Sequence, residues 1–155
     1  MLLEAHQVVP GLWQGSMPPI GDFLEKEGFT TLILCARELQ PSSELYPGVQ
    51  VIHAPNDDDP TNRPLDKAKL RVAAQAAQAA SEAMKRGGKV LVTCAAGANR
   101  SGLVSGITLH LLYGWSGQKA VAQIRRTRRV PGGYQALRNE EFVKALVRLK
   151  ETRSL

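Results

Sequence analysis

The chain has 155 residues, a length that suits one domain and can bury a substantial core. Hydrophobic residues make up 43% of it and charged residues 22%, which excludes an intrinsically disordered chain. The net charge of +6 suggests anionic partners, such as phosphate-bearing substrates or nucleic acid, unless it serves only to keep the protein soluble.

Apolar runs and turn residues predict strands that alternate with helices along the chain. The predicted strands are residues 8–14, 30–36, 49–54 and 89–93, and the predicted helices are residues 22–28, 66–86, 101–113, 116–129 and 139–151. Asp66 and Ser116 are expected to cap helices, and Gly114 to end one. The alternation predicts a single α/β domain over residues 1–155, with a mostly parallel sheet of about four to five strands flanked by helices on both faces.

The sequence contains no apolar run of about 20 residues, so we expect no transmembrane helix and no membrane partner. The first residues lack the basic and apolar regions of a signal peptide. We therefore expect a cytoplasmic, monomeric protein whose two cysteines stay reduced.

The segment KVLVTCAAGANRSGLVSG joins a buried strand to a buried helix and carries the most chemical information. The strand delivers Cys94 to the carboxyl edge of the sheet, where open α/β folds bind ligands. Backbone N–H groups of small residues can point inward and bind an anion, as can the helix N-terminus. The small residues that follow the cysteine are Ala95, Ala96, Gly97 and Ala98. Arg100 adds a planar fork of donors that fits two oxygens of a phosphate.

This loop predicts an oxyanion held directly above the sulfur of Cys94. A helix N-terminus and a neighbouring arginine favour the thiolate form of a cysteine, so Cys94 is predicted to act without an adjacent base. The alternative is a buried structural cysteine at a strand end with Arg100 at the surface, which the whole constellation disfavours.

These residues resemble the cysteine-dependent protein tyrosine phosphatase superfamily, in its small dual-specificity branch. The family signature is His-Cys, five residues with glycine third, Arg, then Ser or Thr, and Cys94, Gly97, Arg100 and Ser101 match it. The resemblance implies that Cys94 is the nucleophile, that Arg100 holds the phosphoryl group and that Ser101 assists the departing thiolate. Thr93 replaces the family's histidine, which implies reduced or differently tuned activity unless its hydroxyl substitutes in part.

The resemblance also implies a general acid on the loop PNDDDP, because dual-specificity enzymes place an aspartate after the corresponding strand. The register favours Asp58, while Asp57 and Asp59 remain open, as does a solvated turn without a catalytic role. Asn99 either hydrogen-bonds within the phosphate loop (residues 94–100) and steadies it, or points to water.

Two further features carry alternatives. Cys35, in LCARE, resembles a cysteine of tensin-related lipid phosphatases, which implies a reversible disulfide with Cys94; a core residue is the simpler interpretation. A cluster of four arginines could attract polyanions or a second phosphate, but a solvated face with one or two arginines tied to carbonyls or acidic side chains is favoured. They are Arg125, Arg126, Arg128 and Arg129.

Taken together, the residues and the resemblance predict a metal-free, cofactor-free phosphatase of phosphotyrosine and of phosphoserine or phosphothreonine. Its partners would be phosphorylated proteins or small phosphomonoesters. Phosphoinositides are disfavoured because the loop has alanines where lipid-directed relatives carry lysines. An RNA 5′-triphosphatase, suggested by Asn99 to Gly102 and the basic charge, and an inactive phosphate-binding module remain alternatives.

Overall fold

The computed structural model describes residues 3–59, 61 and 63–152. The strands are β1 (Ala5–Val9), β2 (Leu12–Gly15), β3 (Thr31–Ala36), β4 (Gln50–Asn56) and β5 (Val90–Thr93). The helices are α1 (Phe23–Lys26), α2 (Lys67–Lys85), α3 (Arg100–Tyr113), α4 (Gly117–Thr127) and α5 (Glu140–Val147), with a 3-10 turn at Ser43–Leu45.

The five strands form one sheet in the order β1-β2-β5-β3-β4. Only β1 and β2 pair in an antiparallel manner; β2 with β5, β5 with β3, and β3 with β4 are parallel. All residues of β3 and β5 are buried, as expected of parallel strands covered on both faces. The predicted mostly parallel α/β sheet is confirmed.

The prediction of one strand over residues 8–14 is wrong, because the chain forms a hairpin there. The first strand ends at Val9 and β2 begins at Leu12. Pro10 lacks the N–H that would continue a ladder, and Gly11 adopts a positive φ of 88°, so this pair makes the turn. The apolar pattern continues through both strands and conceals the turn.

Helices cover both faces of the sheet, but unequally. The longer helices α2 to α5 pack on one face, where buried alanines of α2 (Ala73, Ala76, Ala77, Ala80 and Ala83) join the main core. The opposite face is covered by the one-turn helix α1 and the 3-10 turn, with Leu24, Phe29 and Tyr46 buried beneath them.

The predicted caps of α2 and α4 hold, but α4 ends at Thr127 rather than at residue 129, and the last helix also ends early. Asp66 accepts a hydrogen bond from the backbone N–H of Lys69 at 2.8 Å, and Ser116 caps α4 in the same way. The last helix was expected to reach residue 151 but ends at Val147. The backbone beyond it bonds instead to the turn between α3 and α4, with Leu149 O accepting from Gly117 and Thr152 N donating to Gly114.

The parallel strands gather four loops at one edge of the sheet. The loops after β2, β3, β4 and β5 begin at residues 16, 37, 57 and 94, and all leave the carboxyl ends of their strands. This edge is where open α/β folds place ligands. Within the described ranges, no helix is long and apolar enough to cross a bilayer.

Candidate active site

Cys94 lies directly after β5 and faces the first turn of α3. Its side chain is buried, and its sulfur accepts a hydrogen bond from the backbone N–H of Ser101 at 3.4 Å. The hydroxyl Oγ of Ser101 lies 3.2 Å from the same sulfur. A thiolate here receives two donors and the positive end of a fourteen-residue helix, all of which stabilise its negative charge.

Arg100 is held beside the loop with one edge of its guanidinium free. Nη1 and Nη2 donate to the two carboxylate oxygens of Glu38 at 2.6 and 2.9 Å, and Nη1 also donates to the carbonyl of Asn56 at 3.0 Å. Three of the five N–H groups are thereby used. Nε is buried and has no acceptor among the described residues. The two remaining N–H groups, on Nε and Nη2, lie along one edge and form a fork for two oxygens.

The two partners of the Arg100–Glu38 ion pair differ greatly in solvent exposure. Arg100 is 7% exposed and the Glu38 side chain 55%. Hydrogen bonds from Arg100 lower the pKa of Glu38 from 4.5 to about 2. Burial alone lowers the pKa of Arg100, but the hydrogen bonds to Glu38 and the nearby charges outweigh it, so the net shift is upward. Both groups are therefore charged throughout the neutral range.

The phosphate loop is held from its outer side by residues that donate hydrogen bonds to its carbonyl groups. Arg128, whose side chain is fully buried, donates from Nε to the carbonyl of Gly97 at 2.9 Å and from Nη2 to that of Ala96 at 3.0 Å. Gln14 donates to the same Gly97 carbonyl at 3.0 Å. The N–H groups of Gly97 and Ala98 point the opposite way, to the inner side, because they share peptide units with these carbonyls. No group of the described residues accepts from the N–H groups of residues 95–99. This is the arrangement of an anion site.

Arg128 is in turn fixed from outside the loop. Glu4 accepts from both of its terminal nitrogens, at 2.5 and 2.6 Å, and His6 Nδ1 lies 3.0 Å from Nη1. The hydrogen bonds from Arg128 lower the pKa of Glu4. Burial, followed by the charge of Arg128, lowers the pKa of His6, which keeps its ring neutral and able to accept. The favoured interpretation of the arginine cluster is thus confirmed for Arg128, and also for Arg125, which donates to the carbonyl of Leu137.

Gly97 leaves no room for a side chain. Its φ is +67°, a region that L residues rarely adopt. A Cβ at this position would lie 2.4 Å from the backbone carbon of Gly15 and 2.5 Å from Nη2 of Arg128. The glycine is therefore required by the close packing of the loop against β2 and Arg128.

Three consecutive aspartates follow β4, and their partners distinguish them. Asp57 pairs with Arg37 at 3.1 Å, and Asp59 accepts from the backbone N–H and the hydroxyl of Thr61. Asp58 alone reaches the phosphate loop, where its Oδ2 accepts from Asn99 Nδ2 at 2.8 Å. Of the three carboxylates left open by the sequence, Asp58 is the one beside the loop.

Asn99 takes neither of the two roles expected of it. Its amide donates to Asp58, and its Oδ1 accepts from the backbone N–H of Asn139 at 2.8 Å. Although Asn99 stands at the N-cap position of α3, its side chain makes no capping hydrogen bond. It therefore links the phosphate loop to the loops after β4 and α4.

Thr93 occupies the position of the family's histidine, but its hydroxyl bonds to β3 and not to the sulfur of Cys94. Its hydroxyl donates to the carbonyl of Ile33 on β3 at 3.1 Å, and the residue is fully buried. The expectation that this hydroxyl substitutes in part for histidine finds no contact to support it. The groups that contact the sulfur of Cys94 are the hydroxyl and the backbone N–H of Ser101.

Cys35 lies on the strand next to Cys94. Leu34 is the partner of Thr93 across β3 and β5, so the residues that follow them, Cys35 and Cys94, are neighbours at this edge. Both belong to the same core cluster and both are free thiols. Burial raises the pKa of Cys35 well above its usual range, and the adjacent Cys94 adds to that shift.

Sequence reasoning missed Glu38, Gln14 and Glu4 as parts of the site. Glu38 stands 62 residues from Arg100, and Glu4 stands 124 from Arg128. Pairings over such separations leave no local pattern. One signal was available: an arginine buried in the phosphate loop requires a carboxylate, and Glu38 follows a predicted parallel strand.

No family model matches the chain, and no curated protein matches it. Solved structures do. Human DUSP28 is 27% identical, with a TM-score of 0.75 over 97% of this chain and 95% of that one. Tk-PTP in its active form is 25% identical, with a TM-score of 0.72 over 96% and 99% of the two chains.

The human tyrosine phosphatase-like serine/threonine/tyrosine-interacting protein shares the fold, with 21% identity and a TM-score of 0.70 over 94% of each chain. These likenesses extend over nearly the whole chain, beyond the loop that carries the motif.

Proposed function

We propose that this chain, a cysteine-dependent protein phosphatase of the dual-specificity type in the protein tyrosine phosphatase superfamily, hydrolyses phosphomonoesters through a phosphocysteine on Cys94. The observation that carries the proposal is the free edge of Arg100. A buried guanidinium with an unpaired Nε beside a sulfur, within a loop whose amides face inward, fits a tetrahedral dianion.

In the first step the sulfur of Cys94 attacks phosphorus, forming the S–P bond while the bond to the leaving oxygen breaks. The electron pair of that bond goes to the leaving oxygen, which takes a proton from Asp58. Arg100 and the loop amides bind the equatorial oxygens as charge spreads over them. Asp58 suits the acid role because it is exposed at the mouth of the site and bonded to the loop through Asn99.

In the second step a water molecule attacks phosphorus and the S–P bond breaks, returning the electron pair to sulfur as a thiolate. The carboxylate of Asp58 accepts the proton from the water, which restores the acid and releases phosphate. Ser101 stabilises the departing thiolate, because its hydroxyl and backbone N–H both lie against the sulfur. The step consumes one water and requires no redox partner.

The substrates proposed are phosphotyrosine, phosphoserine and phosphothreonine in proteins, or small phosphomonoesters. The alanines of the loop present no additional cations for a polyphosphorylated headgroup. The reducing cytoplasm suits an enzyme that depends on a free thiol, which supports the expected location. The monomeric state stays a prediction.

A substrate panel tests the proposal. Purified protein should hydrolyse phosphotyrosine and phosphoserine peptides, and vanadate should inhibit it. Cys94→Ser should abolish turnover yet retain phosphate binding, because Arg100 and the loop amides remain. Turnover that survives in Cys94→Ser would refute the nucleophile.

The same panel separates the two alternatives. Preference for a 5′-triphosphorylated oligonucleotide over the phosphopeptides would establish the RNA triphosphatase instead. Phosphopeptide binding without any hydrolysis would establish a binding module.

A further inference from the structure

Two asparagine side chains that take no part in the proposed reaction steps donate hydrogen bonds to the two carboxylate oxygens of Asp58. Asn99 Nδ2 donates to Oδ2 at 2.8 Å, and Asn139 Nδ2 donates to Oδ1 at 2.9 Å. Asn139 Nδ2 also lies 3.3 Å from the carbonyl of Asp59, so it holds the backbone of the same loop. The side chain of Asp58 therefore has its orientation fixed at both oxygens.

The two asparagines are tied to each other and to rigid elements. Asn99 Oδ1 accepts from the backbone N–H of Asn139 at 2.8 Å, and Asn139 Oδ1 accepts from the backbone N–H of Glu141 at 3.0 Å as the cap of α5. The neighbouring residue Leu137 donates its N–H to the carbonyl of Ala98. The two asparagines that bind Asp58 are thus anchored at the start of α3, at the start of α5 and on the phosphate loop itself.

Asn99 stands at the N-cap position of α3, where an asparagine side chain usually caps the helix. An asparagine at an N-cap usually accepts from the first helical N–H groups, yet no such bond forms at α3. The Oδ1 atom that would cap α3 accepts from the backbone N–H of Asn139 instead, while Nδ2 donates to Asp58, so both polar ends of the Asn99 side chain are committed to other loops. Both lone pairs of a carboxyl oxygen can be used, so Asp58 can accept these bonds and still carry a proton.

We infer that Asn99 and Asn139 are positioning residues that aim Asp58 at the leaving-group oxygen of the substrate. Neither touches the reacting atoms in this scheme; both act through Asp58. The inference rests on the proposed function, in which Asp58 is the general acid. Removing either asparagine must therefore slow the hydrolysis of substrates that need an acid and spare those that do not.

The test compares Asn99→Ala and Asn139→Ser on phenyl phosphate, a poor leaving group, and on para-nitrophenyl phosphate, an activated one. Asn139→Ser retains a cap for α5, and Asn99→Ala removes no cap. Each variant should lose about tenfold or more in kcat/KM on phenyl phosphate and less than about threefold on para-nitrophenyl phosphate. The matched controls, Asp57→Asn and Asp59→Asn, should leave kcat/KM unchanged on both substrates.

A double-mutant cycle with Asp58→Ala distinguishes positioning from general structural damage. In the Asp58→Ala background, adding Asn99→Ala or Asn139→Ser should cause no further selective loss on phenyl phosphate. Equal losses on both substrates, or the same selective loss without Asp58, would overturn the inference while leaving Asp58 as the acid. If Asp58→Ala itself shows no leaving-group selectivity, the acid assignment of the proposed function fails first, and the inference with it.

Discussion

Arg100 shows how a buried arginine can be ion-paired and still keep N–H donors for a ligand. Glu38 accepts from Nη1 and Nη2, and the Asn56 carbonyl accepts from the second N–H of Nη1. The edge formed by Nε and Nη2 is left available for a ligand. The exposed carboxylate supports the arginine in the pocket and costs little desolvation itself, because more than half of its side chain remains in water.

Glu38→Gln tests this role. The amide keeps one acceptor oxygen but loses the charge and the second acceptor, so Arg100 should lose its fixed orientation. We expect kcat/KM to fall by about 10-fold to 100-fold on all phosphomonoesters, with no leaving-group selectivity. Glu44→Gln is the control, because Glu44 is an exposed carboxylate that, among the residues the structure describes, bonds only to Ser42. Wild-type kinetics in Glu38→Gln would exclude the positioning role.

The lowered pKa of Glu38 also fixes the sign of a pH effect. A carboxyl group whose pKa falls from 4.5 to about 2 on folding stabilises the protein above about pH 4.5 and loses that contribution as the pH drops towards 2. The ion pair with Arg100 therefore persists through mildly acidic assays. We expect wild type and Glu38→Gln to share the same acid limb in kcat between pH 5 and 7; a shifted limb in the variant would contradict this.

At the residue level, the sequence could indicate which side chains lie together only where they are close along the chain. Cys94, Arg100 and Ser101 lie within eight positions, so their spacing alone brought them to one helix start. The register favoured Asp58 but could not exclude Asp57 and Asp59, because the distinction depends on whether Arg37, Asn99 or Thr61 lies opposite each carboxylate. Those partners belong to other loops.

At the level of elements, the phosphate loop takes its shape from β2 and the end of α4. Gln14 and Arg128 hold its carbonyls outward, and β2 packs so closely that only glycine fits at position 97. The hairpin of β1 and β2 matters here, because it brings Glu4 to Arg128 and Gln14 to the loop from two adjacent strands. The sequence pattern, which merged these strands, could not show it.

Arg128→Met should therefore destabilise the fold and disorder the loop together. It leaves three acceptors, the Glu4 carboxylate and the carbonyls of Ala96 and Gly97, without their buried donor. We expect urea denaturation to show a loss of about 3 kcal/mol or more and kcat to fall sharply. Arg129→Met, at the exposed neighbouring position, should be close to neutral. Similar stabilities for the two variants would contradict this role of Arg128.

Strands β3 and β5 place Cys35 and Cys94 next to each other, so the reversible disulfide that the resemblance implies stays a proposal beside the simpler interpretation of Cys35 as a core residue. Peroxide would oxidise Cys94 to a sulfenic acid, and Cys35 would displace water from it to form the bond. Because burial raises the pKa of Cys35, that thiol is a weak nucleophile and the condensation should be slow.

Peptide mass spectrometry after equimolar peroxide should show a Cys35–Cys94 bridge that reductant removes, with activity returning. Cys35→Ser should instead accumulate the sulfinic acid of Cys94 and lose activity for good. Sulfinic Cys94 in the wild type, with no bridged peptide at any time, would remove the proposal.

For the molecule as a whole, composition and alternation were enough to predict the α/β class and the parallel sheet, because these depend on apolar periodicity along the chain. The uneven covering of the two faces was not predictable, since a one-turn helix such as α1 carries little periodic signal. The site follows from the same topology, because parallel strands place the ends of β2 to β5 at one edge. The loops after β3, β4 and β5 bring Glu38, Asp58 and Cys94 to that edge.

The proposed hydrolysis requires a covalent bond between phosphorus and the sulfur of Cys94. Ser101→Ala removes the hydroxyl that lies 3.2 Å from that sulfur, so breakdown of the intermediate should slow more than its formation. Mass spectrometry of this variant, denatured during turnover of para-nitrophenyl phosphate, should show one added phosphoryl group and locate it on Cys94. Steady turnover with Cys94 unmodified throughout, or with the phosphoryl group on another residue, would contradict the mechanism.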